Sequence, residues 1–326
     1  MKKILNFTGA SKIFFCVSLS IFLIGIICNA IFGVSLDIQF TGGTILQYNY
    51  VGNLDTNEMQ TLIQGETADT VSFNISENIT VNEDGSQLQN GYLLAVQFSG
   101  KKTITPEIMD NLTKKLQEKF PDNKFKVLDS QSVESSMGWK FFLKCIVAVA
   151  IACLLMVVFV AIRFRRIGGW SAGVMALVAL FHDIMMIYFT FIIFRMPIDS
   201  NFIAVTLMIL GYSLNDTIVI YDRVRENRKR LGGKKVDYDE LFNKSGTQVF
   251  RRTICTSITT LAAILSVFIF AAVFNIKSVV TFALPMMIGV ISGCYSSICI
   301  AGPLWVMWQN RKLKKAASNN KKGSKK

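Results

Sequence analysis

Six long apolar runs divide the sequence, and one long polar stretch separates the first from the rest. They cover residues 13–34, 139–162, 168–194, 198–221, 253–274 and 279–308. Each is long enough to cross about 30 Å of hydrocarbon as a helix. The pattern predicts a polytopic α-helical membrane protein with six transmembrane helices. The polar stretch, 35–138, has a different rhythm. Thr44–Tyr50 sets Ile45, Gln47 and Asn49 against Leu46, Tyr48 and Tyr50, the period of a strand with one buried face. Asp55 is placed to cap a short helix through Gln64. Thr70–Ile75 and Tyr92–Phe98 read as strands, with turn residues at Asn82–Gly85 and Asn90-Gly91. Thr105-Pro106-Glu107 opens a second helix that ends near Phe120-Pro121, and Lys124–Leu128 reads as a last strand. The order β-α-β-β-α-β is that of a ferredoxin-like α+β domain.

Charge orients this layout. The chain is 51% hydrophobic and 17% charged, which fits an integral membrane protein. Its net charge of +13 is not spread evenly. The polar stretch holds 14 acidic and 7 basic residues, while most Lys and Arg fall in 1–12, 163–166, 222–252 and 311–326. The positive-inside rule then predicts a cytoplasmic N-terminus (1–12), a cytoplasmic loop (222–252), a basic cytoplasmic tail (311–326) and an extracytoplasmic α+β domain (35–138). Both termini are expected in the cytoplasm of a multi-pass membrane protein. The basic segments belong at the lipid surface, so no nucleic-acid partner is expected. The first run is long for a signal peptide and reads as a retained anchor behind Lys2, Lys3 and Lys12.

The polar domain lacks histidine, which excludes a histidine-based triad there. The seven cysteines all lie in apolar runs, so that domain has no disulfide. No Cys/His spacing matches a metal site, and Leu231-Gly-Gly-Lys-Lys235 lacks the first glycine and the Ser/Thr of a P-loop. No enzyme activity, metal or cofactor is expected.

The chemistry is instead inside the apolar runs. Asp216 lies about two turns, or 10 Å, before the charged end at Arg223. An acid at that depth usually faces protein and marks an ion or proton path. Asn215 and Thr217 flank it as further ion-coupling candidates, and Asn215 and Asp216 also suit hydrogen bonds between helices. His182-Asp183, near the middle of the third run, is a second titratable pair and a candidate for the ion-coupling relay, and His182 is the only histidine. Arg252 opens the fifth run. Gln248, Arg252, Thr256, Thr259 and Thr260 share one helical face, so the run carries a polar stripe, expected to be a wet interior face. An arginine there also suits snorkelling to headgroups. Gly169/Gly173 and Gly289/Gly293 predict close helix contacts, and Pro285 a kink.

Gly211-Tyr-Ser-Leu-Asn-Asp-Thr-Ile-Val-Ile-Tyr-Asp-Arg-Val-Arg-Glu-Asn227 resembles the signature of the SecD/SecF family of protein-export membrane subunits, in the resistance-nodulation-division superfamily. Phe40-Thr41-Gly42-Gly43-Thr44 after the first run is similar to the family's F-x-G-G-T. His182-Asp183 and the series Asn243, Ser245, Gln248, Arg252-Thr253 match further family positions. The family usually has Asp at the position of Gln39 and Gly-Pro where this chain has Ser132–Gly138. The resemblance implies pairing with SecD, work beside the SecYEG channel and SecA on secreted preproteins, and use of the proton or sodium motive force in late translocation. It assigns ion coupling to Asp216 and Arg252. Two other readings share the layout: a half-sized exporter of lipids or drugs from the same superfamily, and a non-transporting assembly factor of the Sec complex.

Overall fold

The computed structural model describes residues 4–323 apart from 53, 55–58, 60–61, 64–69, 79–90, 100–105, 134, 232–235 and 275. Helix α1 (Ser11–Phe32) leads through a short connection to α2 (Ile38–Thr41). Asp37 caps α2 by accepting from the Gln39 N–H at 2.9 Å. The chain then needs backbone angles open mainly to glycine: φ is 79° at Gly42 and 141° at Gly43. A Cβ on Gly43 would stand 2.2 Å from the Phe98 carbonyl oxygen. The F-T-G-G-T motif thus turns the chain from the membrane helix into the polar domain.

That domain contains β1 (Gly43–Val51), β2 (Thr70–Asn78), β3 (Gly91–Ser99), α3 (Pro106–Lys119) and β4 (Lys126–Val133). The strands form one sheet in the order β2-β3-β1-β4, and every neighbouring pair is antiparallel. The alternation read from sequence decides its faces. Leu46, Tyr48, Tyr50, Leu94, Val96 and Phe98 are buried against Leu112 and Leu116 of α3. Such side chains stabilise by about 1.5–3 kcal/mol each when fully buried. The expected helix over 55–64 lies mostly outside the described residues; Met59 and Ile63 are helical and buried in this core. The turns at 82–85 and 90 also lie outside them. The last strand differs from the expected Lys124–Leu128. It starts at Lys126 and continues to Val133, because Gly43–Gln47 of β1 supply partners as far as that residue. Lys124 instead takes a left-handed turn, with φ 45°.

The remaining helices are α4 (Ser135–Arg163), α5 (Gly169–Ile193), α6 (Ser200–Arg230), α7 (Tyr238–Val273), α8 (Lys277–Ser296) and α9 (Gly302–Gly323). Together with α1, and with α8 and α9 joined as one, they make six helices apolar and long enough to cross a membrane among the described residues. Helices α5, α6 and α8 are the buried centre, whereas α1, α4 and α7 present mostly apolar side chains outward. The glycine pairs sit at close contacts, as their spacing predicts. A Cβ on Gly169 would meet the Ala161 carbonyl at 2.1 Å, and one on Gly293 would meet Ser213 at 3.0 Å.

Two features depart from the pattern reading. Residues 222–230 and 238–252 are helical rather than loop: α6 runs on to Arg230 and α7 begins at Tyr238, with Asp237 capping it. Arg, Lys and Glu are good helix formers, so the helices outlast the apolar runs. The regular winding of the last span breaks not at Pro285, which lies inside α8, but at a π-helical turn over Ser297–Ala301. Pro303, just beyond, has no N–H to return to Cys299, which helps open that turn.

At the far end from the basic segments, the α5–α6 turn is tied to the chain after α1. The Asp37 N–H donates to the Ile198 carbonyl at 3.0 Å, and the Ile198 N–H to Ser35 at 2.8 Å. Gln39 Oε1 accepts from the Ser200 N–H at 3.3 Å. Asp199 caps α6 through the Asn201 and Phe202 N–H groups. Burial pushes the Asp199 carboxyl above its ordinary range and neighbouring Asp37 adds to the rise, while these N–H bonds oppose it.

Candidate functional site

The central helices carry two buried carboxylates, and the polar residues of the apolar runs divide between them. Asp183 projects from the middle of α5 and is fully buried. Ser213 of α6 and Ser296 of α8 donate to its Oδ2 at 2.6 and 2.7 Å. Ser292 of α8 donates to Oδ1 at 2.6 Å. His182 Nδ1 lies 3.2 Å from the same oxygen, so the two neighbours do meet although adjacent helical residues point about 100° apart. The His182 ring stacks on Phe22 of α1 at 5.2 Å and packs near Tyr295 of α8. The Tyr295 hydroxyl donates to the Phe14 carbonyl at 2.7 Å, closing the contact between α1 and α8. Asp183 is therefore a node that joins α5, α6 and α8, with donors on both oxygens.

Asp216 is one turn beyond Ser213 on α6 and is 3% exposed. Its surroundings are opposite in kind. Among the described residues, Oδ2 is buried and has no hydrogen-bond partner. Arg252 acts on it through space, yet no ion pair within 4.0 Å joins the two among the described residues. A buried polar atom without a partner costs about 1–3 kcal/mol. An acid left in that position is one whose charge is not committed to a fixed set of donors.

The other expected site residues are distributed as follows. Thr217 is buried beside Asp216, bonded to the Ser213 carbonyl at 3.2 Å and the Ser297 hydroxyl at 2.9 Å. The Ser297 hydroxyl also reaches the Ser213 carbonyl, at 3.1 Å. The π turn that begins at Ser297 therefore lies against the acid-bearing segment of α6. Asn215 is exposed, on the outer side of α6. The stripe on α7 is also outward: Arg252, Thr256 and Thr259 are exposed and Thr260 half-buried. Thr256 and Thr259 return their hydroxyls to carbonyls of their own helix, Arg252 and Cys255, at 2.5 and 3.0 Å. Gln248 and Arg252 line a cleft of about 690 Å³ with Asp222, Arg223, Arg225 and Glu226. Phe40, Gly42, Gly43 and Thr44 are remote from both acids; Phe40 packs on Phe141 and Phe142 of α4, and Thr44 meets Ser132 of β4 at 3.1 Å.

Sequence reasoning missed the serines. Ser292 and Ser296 are one turn apart in an apolar run, and that spacing was the available signal for a shared polar face. Ser213 stands inside the motif around Asp216, three residues before the acid.

Comparison with other proteins fits this geometry. Residues 111–311 match the family described as protein export membrane protein SecD/SecF, C-terminal. The chain is 32% identical over 328 residues to the protein translocase subunit SecF of Alicyclobacillus acidocaldarius, covering 98% of each. It is 30% identical to the protein translocase subunit SecDF of Bacillus subtilis, covering 95% of this chain and 39% of that one. The crystal structure of SecDF from Thermus thermophilus, a translocon-associated membrane protein, matches with a TM-score of 0.76 at 27% identity, over 95% of this chain and 39% of that one. SecDF in a super-membrane-facing form matches with a TM-score of 0.67 at 26% identity, over 98% of this chain and 40% of the other. The chain thus spans nearly all of a SecF but well under half of these SecDF proteins.

Proposed function

The chain belongs to the SecD/SecF protein-export family and is a multi-pass membrane subunit of the protein translocase; from that premise we propose that Asp216 and Arg252 couple an ion gradient to late steps of translocation. The observation that carries the reading is the unfilled Oδ2 of Asp216, near a cation that does not bind it. Loading a proton on Asp216 removes its charge without breaking an existing bond to Oδ2, and changes the force on Arg252 of α7. Helices α6 and α7 then shift against each other, and the polar domain follows through the joint at Asp37, Ile198 and Gln39. Sodium is the other ion compatible with this scheme.

In this reading the sheet domain is extracytoplasmic and ferredoxin-like. Its strand order and the acidic balance of 35–138 support that. Both termini are cytoplasmic, in the bacterial cytoplasmic membrane. The domain divisions are read as the expected ones, with 222–230 and 238–252 as helical extensions of the spans. The fused SecDF relatives support SecD as the partner. Exposed Asn215 and Arg252 on the outer faces of α6 and α7 support a SecD contact there, where its helices would cover polar groups that lipid cannot satisfy. SecYEG, SecA and secreted preproteins complete the proposed assembly.

The test is gradient-dependent export in vesicles that hold SecD, SecYEG, SecA and either this chain or its Asp216→Asn variant. Export by the variant should fall to the level seen without a gradient, at equal amounts of inserted protein. Normal gradient-dependent export by Asp216→Asn would exclude the acid as the coupling group.

A further inference from the structure

Two polar motifs are left unused by the acid–arginine scheme. One is the charged end of α6, Arg223 to Asn227. The other is the series Asn243, Ser245 and Gln248 at the start of α7. They are two halves of one device. Gln248 Oε1 accepts from Arg223 Nε at 2.6 Å and from Asn227 Nδ2 at 2.9 Å. The same Asn227 amide donates to Ser245 Oγ at 2.8 Å, and the Ser245 hydroxyl to the Leu241 carbonyl at 2.7 Å. Ser245 is fully buried and Asn227 nearly so. Both hydrogens of the Asn227 amide are therefore spent on α7.

Asn243 extends the device to the segment before α1. Its Oδ1 accepts from the Phe7 and Thr8 N–H groups at 2.9 and 3.1 Å, and its Nδ2 donates to the Thr8 hydroxyl at 3.0 Å. The Phe7 ring packs against Phe242 and Phe250. A Cβ on Gly246 would come within 3.1 Å of that ring, so glycine there permits the approach.

The position of this joint gives it a consequence. Gln248 is one turn before Arg252 on α7, so the two move together when the helix rotates or slides. Asn227 and Arg223 share a continuous helix with Asp216. We propose that Asn227 and Gln248 are positioning residues, an amide clasp that sets the register of α7 on α6 and thereby the distance from Arg252 to Asp216. The inference rests on the coupling reading above for its functional consequence, but the clasp itself is testable without it.

The first experiment measures helix register. Spin labels go on the exposed positions of Met208→Cys in α6 and Ile258→Cys in α7, in a chain whose seven native cysteines are replaced. Asn227→Ala should shift or broaden the label-to-label distance distribution, and so should Gln248→Met. An unchanged distribution in both overturns the clasp, whatever Asp216 does. The second experiment measures the pH at half-maximal gradient-dependent export. Each variant should move it by about half a unit, roughly a threefold change in proton concentration. The double variant should move it by less than the sum of the two single shifts, because both substitutions remove the Asn227–Gln248 bond. A lower rate at an unmoved midpoint would show a merely structural role. If Asp216→Asn exports normally, the coupling reading fails, and the label distances alone decide the clasp.

Discussion

Asp183 and Asp216 lie on neighbouring helices of one core, are almost equally buried, and have opposite surroundings. Asp183 receives three serine hydroxyls and a histidine contact, from α5, α6 and α8. Asp216 has an oxygen with no donor, and a cation in range but not in contact. The difference teaches that burial alone does not identify a working acid. A carboxylate with donors on both oxygens holds helices together, and taking its charge away frees buried hydroxyls. One with an unfilled oxygen changes state at less structural cost, which is what an ion-coupling group requires.

The comparison is most easily broken at Asp216. Asp216→Asn should abolish gradient-dependent export yet change stability by less than about 1 kcal/mol, since Oδ2 loses no bond. Thermal unfolding in detergent beside the export assay checks both halves. A strongly destabilised Asp216→Asn would erase the contrast. Asp183→Asn should do the reverse. Its amide faces hydroxyl donors, so buried hydroxyls are left without acceptors at about 1–3 kcal/mol. The readouts are the unfolding temperature and the yield of inserted protein. A stable, fully inserted Asp183→Asn that no longer couples would exchange the roles of the two acids.

Smaller effects sharpen the picture. Ser213→Ala, Ser292→Ala and Ser296→Ala should each cost about 0.6 kcal/mol, and at most about 1.7, the measured range for membrane hydrogen bonds. Ser292→Ala should cost the most, because Oδ1 would keep only His182, whereas Oδ2 keeps one serine after either of the other losses. Equal unfolding temperatures for the three would argue against the two-oxygen division. Asn215→Leu should have the smallest effect on the chain by itself, because Asn215 is exposed. Its expected effect is reduced recovery of SecD on co-purification, and unchanged recovery would place the SecD contact elsewhere.

Much of this was legible in the residues. The apolar runs located the six helices long and apolar enough to cross a membrane, and the alternation at Leu46, Tyr48 and Tyr50 picked the buried sheet face. The motif around Asp216 located the unusual acid. Other parts were not legible. Charge made 222–252 look like a loop, although Arg, Lys and Glu continue a helix well once it has started. The extension of β4 to Val133 depended on partners far away in sequence, on β1. The stripe from Gln248 to Thr260 was visible as a stripe, but its outward direction was not.

The sequence by itself determined which segments are apolar and long enough to span a membrane, because transfer of apolar side chains depends on local composition. It also determined which residues are too costly to be there by accident, Asp183 and Asp216. Only the tertiary structure decided which acid is saturated and which is not. Ser213, Ser292 and Ser296 come from α6 and α8, and a serine in an apolar helix usually returns its hydroxyl to its own backbone. Whether it reaches a carboxylate instead depends on how closely the helices approach, as Gly293 and Ser213 do here. Donor supply at a buried charge is a property of packing between distant segments, and no window along the chain contains it.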